Sequence, residues 1–222
     1  MNSKKISFIS CVNDFEQYKI ALRHIDSLKV PPGYEVETVA IENATSLTSG
    51  YNEAMKKSDA KYKVYLHQDV YILNEQFIYD VIRLFQNYPK LGMLGAVGGK
   101  TAPNGLWWGS SEVYGDVYDG SKGRGNLELL AHRKVINDYE QVRAIDGLIM
   151  ITQYDLRWRD DLFQGWHFYD ISHSFEFAKA GYEVGVAKQI SPWCFHDSGP
   201  LDFTGYEENR NIVVQNYPEY VF

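Results

Sequence analysis

The stretch Val64-Tyr65-Leu66-His67-Gln68-Asp69-Val70-Tyr71-Ile72 decides how this chain is read. It opens on three apolar, β-prone residues in a row, the composition of a buried strand. It then stops on three polar residues before apolar character returns. In an open parallel sheet, ligands sit outside the carboxyl ends of the strands, so a carboxylate at Asp69 faces a crevice. One hard oxygen donor at such a point suits Mg²⁺ or Mn²⁺ held together with substrate phosphates. Asp is equally at home capping a turn, and the nonapeptide alone leaves both readings open.

Working outward, residues 5–12 read as a buried first strand ending at Asn13-Asp14. Over residues 14–28, Phe15, Tyr18, Leu22, Ile25 and Leu28 recur at three- and four-residue steps, an amphipathic helix with Asp14 as N-cap. Residues 34–41 alternate as a second strand finishing at Glu42-Asn43, and 49–57 read as a short helix. Residues 74–88 carry the clearest helical face, and 91–97 form a fourth strand closed by Gly98-Gly99. This β-α-β-α-β-α-β order predicts an α/β fold, a mostly parallel sheet flanked by helices. Residues 101–125 lack periodicity and carry Trp107-Trp108, so they read as a functional loop or lid. Further on, 142–145 and 148–152 read as strands around Asp146-Gly147, 170–180 as a helix and 184–187 as a strand. Residues 192–196 read as irregular, and the tail 201–222 holds one helix near 207–216.

At 222 residues, with 45% hydrophobic and 15% aromatic content, the chain can bury one sizeable core, and no linker divides it. A formal charge of −7 argues against nucleic acid as a partner, because phosphate backbones are held by clustered Lys and Arg. No apolar run approaches the roughly 20 residues a membrane span needs. The N-terminal residues read as a strand rather than a signal peptide, and two distant cysteines, Cys11 and Cys194, suggest no disulfide framework. The expected compartment is the cytoplasm.

With the elements placed, the polar residues at their ends fall into a recognisable order. Strand one ends in Cys11-Val12-Asn13 and strand two in Glu42; Ser49-Gly50-Tyr51-Asn52-Glu53-Ala54 is similar to an Asn-x-x-Ala helix. His67-Gln68-Asp69 stands where an Asp-x-Asp motif is expected, and Asp146-Gly147 precedes a strand. Phe163-x-Gly165-Trp166-His167-Phe168-Tyr169-Asp170, then Lys179-Ala180-Gly181-Tyr182-Glu183-Val184, resemble a "Glu-Asp…Gly-Tyr" block, and His196 follows. In this order the chain resembles the GT-A glycosyltransferases, most closely family 2 enzymes of the streptomycin-biosynthesis-like branch, from strand one to about Gly199. Two positions depart from that pattern: His67 replaces the first acid of Asp-x-Asp, and Tyr169 replaces the acid before Asp170.

The resemblance implies one GT-A domain over residues 1–222, with a nucleotide-binding half (1–100), an acceptor and catalytic half (101–200) and a tail (201–222). It implies a nucleotide-diphosphate sugar as donor, a hydroxyl acceptor, and a divalent cation (Mn²⁺ or Mg²⁺) on Asp69 and His196. Asp170 would be the general base of an inverting transfer, although Asp at a helix start also serves as a cap. Cys11, Asn13, Glu42, Tyr51, Asn52, His67 and Gln68 would line the donor site; turn chemistry, a solvated charge or a polar helix face explains several of them as well. Trp107, Trp108, Asp146, Gly147 and Trp166 would meet the sugar or acceptor, aromatic faces packing on sugar C–H surfaces; burial of one Trp beside exposure of the other fits equally. His67 reads as a polar neighbour of the metal. The product would belong to a bacterial surface polysaccharide or another glycoconjugate. The rival readings are a GT-A-like binding module without turnover and a nucleotidyltransferase; the second would carry a Gly-rich basic loop after strand one, and residues 11–18 do not.

Overall fold

In the computed structural model, which describes residues 1–121, 126–200 and 202–222, the first half runs β1 (Asn2–Val12), α1 (Phe15–Asp26), β2 (Glu35–Glu42), α2 (Leu47–Lys57), β3 (Ala60–Leu66), β4 (Val70–Ile72), α3 (Phe77–Asn87) and β5 (Leu91–Gly95). The second half adds short strands β6 (Gly98–Gly99), β7 (Val113–Tyr114), β8 (Asp116–Ser121) and β9 (Asn126–Ala131). It continues through β10 (Tyr139–Val142), β11 (Ala144–Ile145), β12 (Ile149–Thr152), α4 (Tyr169–Lys179), β13 (Glu183–Ala187), β14 (Cys194–Asp197) and α5 (Tyr206–Asn216).

Seven strands form the main sheet in the order β10-β13-β5-β12-β3-β1-β2, with only β12 and β10 running against the rest. Successive side chains of a strand point to opposite faces. Phe8, Val64, Leu94 and Ile151 therefore fill one face with α3, while Ile9, Tyr65, Met93 and Met150 fill the other with Tyr51 of α2 and Phe177 of α4. Each such buried side chain contributes roughly 1.5–3 kcal/mol. Burial on both faces is why these strands read as continuous apolar runs. Asp14 caps α1 as expected, its carboxylate accepting from the backbone N–H of Glu16 and Gln17. Gly50 lets α2 close onto the end of β1, since a Cβ there would lie 2.4 Å from Cys11 Sγ.

A second sheet, β4-β14-β8-β9, stands at the carboxyl end of β3. It corrects two expectations. Residues 192–196 are not irregular: Cys194–Asp197 is a strand, too short and too soon after Pro192 to show alternation, and made by its pairing with β4 and β8. Residues 101–121 are not an open loop: they hold two 3₁₀ turns, Pro103–Gly105 and Trp107–Gly109, then β7 and β8. Ala102 and Trp107 are buried in the core, and Ser110 fastens the turn through Thr101 and Glu112. The last part of the expected lid, residues 122–125, lies outside the described residues.

Candidate active site

A cleft of about 700 Å³ opens at the carboxyl ends of β1, β2 and β3. Cys11, Asn13, Glu42, Tyr51, His67, Gln68, Asp69, Trp166 and His196 all line it, so nine residues expected at the site from sequence share one cavity. Gln68 ties the rim together: its Oε1 accepts from the backbone N–H of Asn13 and Asp14 at 2.8 and 2.9 Å, and its Nε2 donates to Asn13 Oδ1. The Cys11 thiol is pushed up to about 12, chiefly by burial, and stays protonated. Tyr51 is fully buried against Tyr65 and Trp158, and its hydroxyl has no hydrogen-bond partner among the described residues.

His67, Asp69 and His196 each place a donor atom within 4.8 Å of the others. The turn after β3 supplies the first two; pairing of β14 with β4 sets His196 opposite Val70, next to Asp69. The Asp197 N–H closes that junction by donating to the Asp69 carbonyl at 2.9 Å. Asp69 Oδ1 lies 3.9 Å from His67 Nδ1 and 3.7 Å from His196 Nε2. That oxygen is buried and accepts no hydrogen bond from the described residues. A buried carboxylate oxygen without a partner is costly, and a cation between it and two imidazoles removes the cost, so these residues fit a divalent metal. Both imidazoles are held from behind. His196 Nδ1 meets Asp119 Oδ1 at 3.0 Å, and His67 Nε2 is hydrogen-bonded to the Tyr169 hydroxyl. Burial holds His67 below the ordinary imidazole range, offset in part by Asp69. Burial also opposes charge on His196, but Asp119 and Asp69 outweigh it and raise its affinity for a proton.

Asp170 sits in the first turn of α4, 9% exposed. The helix is capped at Phe168, a left-handed residue (φ 62°) without a side-chain cap bond, so Asp170 is not the N-cap. Burial, then repulsion from Asp146, pushes the Asp170 carboxyl up to about 7; backbone N–H groups of Ile171, Asp170 and Gly147 pull the other way. Asp146 is fixed by accepting from the Leu148 N–H at 2.8 Å, and the Leu148 carbonyl accepts from the His67 N–H at 3.1 Å. The acid pair and the histidine–aspartate cluster are thus joined through one short turn.

A sequence profile of the glycosyltransferase-like family matches residues 7–217. The chain belongs to that family. Solved structures agree on the fold. TarS of S. aureus in complex with UDP superposes with a TM-score of 0.59 at 10% identity, covering 96% of this chain and 64% of that one. The mannosyltransferase PcManGT of Pyrobaculum calidifontis, with GDP-Man and Mn²⁺, gives 0.58 at 11% identity, covering 99% and 64%. Drosophila β-1,4-galactosyltransferase 7, with manganese, UDP-Gal and xylobiose, gives 0.55 at 14% identity, covering 93% and 79%. At such identities the likeness establishes the GT-A fold and nothing finer, and this chain spans about 64% of the length of the first two. No curated protein matches the sequence.

Within this glycosyltransferase-like chain, some expected site residues stand elsewhere: Asp170 and Asp146 are not among the residues that line the cleft. Both ends of the Asn52 amide are spent on Trp158, donating to its carbonyl and accepting from its N–H, so Asn52 clamps the fold and does not line the cleft. Trp107 is buried in the core and Trp108 lies edge-on to it, 46% exposed, near Tyr206; neither lines the cleft. Gly147 also lies off the cleft, where a Cβ would come within 2.1 Å of the Tyr169 hydroxyl; its bare backbone makes room for that group. Asp119, which braces His196, was not singled out in the sequence. Its only signal is the β8–β14 register, which pairs the two residues and cannot be read from either segment alone.

Proposed function

We propose that the chain is an inverting glycosyltransferase that moves a sugar from a nucleotide diphosphate to an acceptor hydroxyl. One observation carries this: an unpartnered buried Asp69 oxygen between two imidazoles, at the edge of a strand-end cleft in a GT-A fold. In this reading Asp69 and His196 hold a divalent cation, which when bound acts as a Lewis acid for the leaving diphosphate. Asn13 and Glu42, ending successive strands, bind the base and ribose, and Cys11 and Gln68 shape the floor and rim. Asp170 accepts the proton of the acceptor hydroxyl as its oxygen attacks the anomeric carbon opposite the diphosphate. A carboxyl held near 7 is matched to that task at neutral pH. Trp166, half exposed at the cleft mouth, offers a face to a sugar ring.

The neighbours' UDP, GDP-Man and UDP-Gal support a nucleotide-sugar donor, and the xylobiose of the Drosophila complex supports a carbohydrate acceptor. The halves of the domain divide the work, residues 1–100 holding the nucleotide and 101–200 the acceptor and base. We assign the product to a polysaccharide or other glycoconjugate. Free Cys11 and Cys194 suit the reducing cytoplasm, and no described helix is long and apolar enough to cross a membrane.

The test is nucleoside-diphosphate release from a panel of UDP-, GDP-, dTDP- and CDP-sugars with Mn²⁺. Wild type should release one nucleotide, and Asp170→Asn should lower the rate at least ~10²-fold with nucleotide affinity unchanged. Equal loss of affinity would make Asp170 a structural residue and leave the reaction without this base.

A further inference from the structure

The two positions that depart from the family pattern meet in space. His67, in place of the first acid, is hydrogen-bonded through Nε2 to the hydroxyl of Tyr169, in place of the later acid. Gly147 leaves the space that this hydroxyl occupies. Three sequence features 102 residues apart at their extremes thus build one contact.

The contact has a consequence for the other ring nitrogen. A neutral imidazole carries its proton on one nitrogen and a lone pair on the other. His67 Nδ1 points towards Asp69 Oδ1 but stays 3.9 Å away, too far for a hydrogen bond, and the oxygen has no other partner among the described residues. With the proton on Nδ1, Tyr169 would donate to Nε2 and the ring could not ligate a metal through Nδ1. With the proton on Nε2, donated to Tyr169, Nδ1 and Oδ1 are two lone-pair donors facing a common gap, and His196 Nε2 is the third. His196 shows the same construction, its Nδ1 engaged by Asp119. Outer partners that fix ring orientation and tautomer are a general feature of histidine ligands.

We propose that Tyr169 is a positioning residue that makes His67 a third metal ligand, giving a two-imidazole, one-carboxylate donor set that selects divalent transition-metal ions over Mg²⁺. The proposal rests on the glycosyltransferase reading above for the presence of a metal, and adds the outer partner that commits His67 to it and the selectivity that follows. The chemistry follows from the donors: imidazole nitrogen binds first-row transition ions, Mn²⁺ the weakest of the series and Zn²⁺, Fe²⁺ and Ni²⁺ more tightly, whereas Mg²⁺ takes oxygen ligands and keeps its waters. An acid at position 67 would have supplied an oxygen instead. Tyr169 itself touches no metal; it acts through His67.

Pulsed electron paramagnetic resonance of Mn²⁺ added to the purified protein, alone and with UDP or GDP, counts the imidazoles coupled to the ion. Wild type should show two, and His67→Asn one. Tyr169→Phe, which keeps the ring and loses the hydroxyl, should weaken Mn²⁺ binding ~10–100-fold while Mg²⁺ affinity changes little, so that selectivity collapses. A purely structural Tyr169 would change thermal stability and leave the Mn²⁺/Mg²⁺ ratio alone. One imidazole in wild type, lost with His196→Asn and unaffected by His67→Asn, overturns the proposal and leaves the glycosyltransferase reading standing. No Mn²⁺ bound under any of the three conditions overturns both.

Discussion

In the reaction proposed above, much of the chemistry would rest on two side chains, Asp170 and Asp146. Burial is the main cause of the raised Asp170 carboxyl and the Asp146 charge the second. A base must be ionised, so the rate should rise with pH through an acid limb centred near 7, falling about tenfold per unit below it. Asp146→Asn keeps an oxygen for the Leu148 N–H but removes the repelling charge. The limb should then move to lower pH. A pH–rate profile of both proteins checks this, and an unmoved limb would mean that Asp146 does not set the ionisation of the base. The same raised carboxyl has a sign for stability: a folded value above the unfolded one of about 3.9 favours the folded state in acid and disfavours it as pH rises through 7. At this scale the sequence was legible where a polar residue ends a strand, as at Asn13, Glu42 and Asp69. It was less so for Asn52, where the local pattern fits a cleft-lining amide and only the fold reveals the Trp158 backbone that consumes it.

At the scale of elements, α3 and the first strands were readable because their burial imposes a period. Strand β14 was not, because four residues beside Pro192 and Trp193 show none; its neighbours β4 and β8 define it from far away in sequence. Yet β14 completes the site. It carries His196 between the Asp69 turn and Asp119, so the metal-facing nitrogen is aimed by a strand on each side. Asp119→Ala should weaken Mn²⁺ binding ~10–100-fold by freeing the imidazole, with the second sheet still formed. Titration with Mn²⁺ and a far-ultraviolet dichroism spectrum check the two halves of this statement; unchanged affinity would show that β8 braces the fold and not the ligand. The paired tryptophans teach the complementary lesson. Trp107 is spent on the core and only its neighbour reaches solvent, because a 3₁₀ turn sends adjacent side chains in different directions.

For the whole molecule, the order of elements in the first hundred residues foretold a mostly parallel sheet, and the sheet has five strands in one direction and two against. What the order could not supply was the second sheet, whose short strands assemble half of the site by long-range pairing. The two departures from the family's acids, which were the support for the rival binding-module reading, meet each other at the site. In the function proposed above, the cleft at the strand ends holds a nucleotide diphosphate through a metal on Asp69. Calorimetric binding of UDP, GDP, dTDP and CDP, each with and without Mn²⁺, on wild type and Asp69→Asn tests it most directly. One nucleotide should bind tightly, only with Mn²⁺, and Asp69→Asn should abolish the metal-dependent part. Nucleotide binding that ignores both the metal and Asp69, or no binding at all, would contradict it.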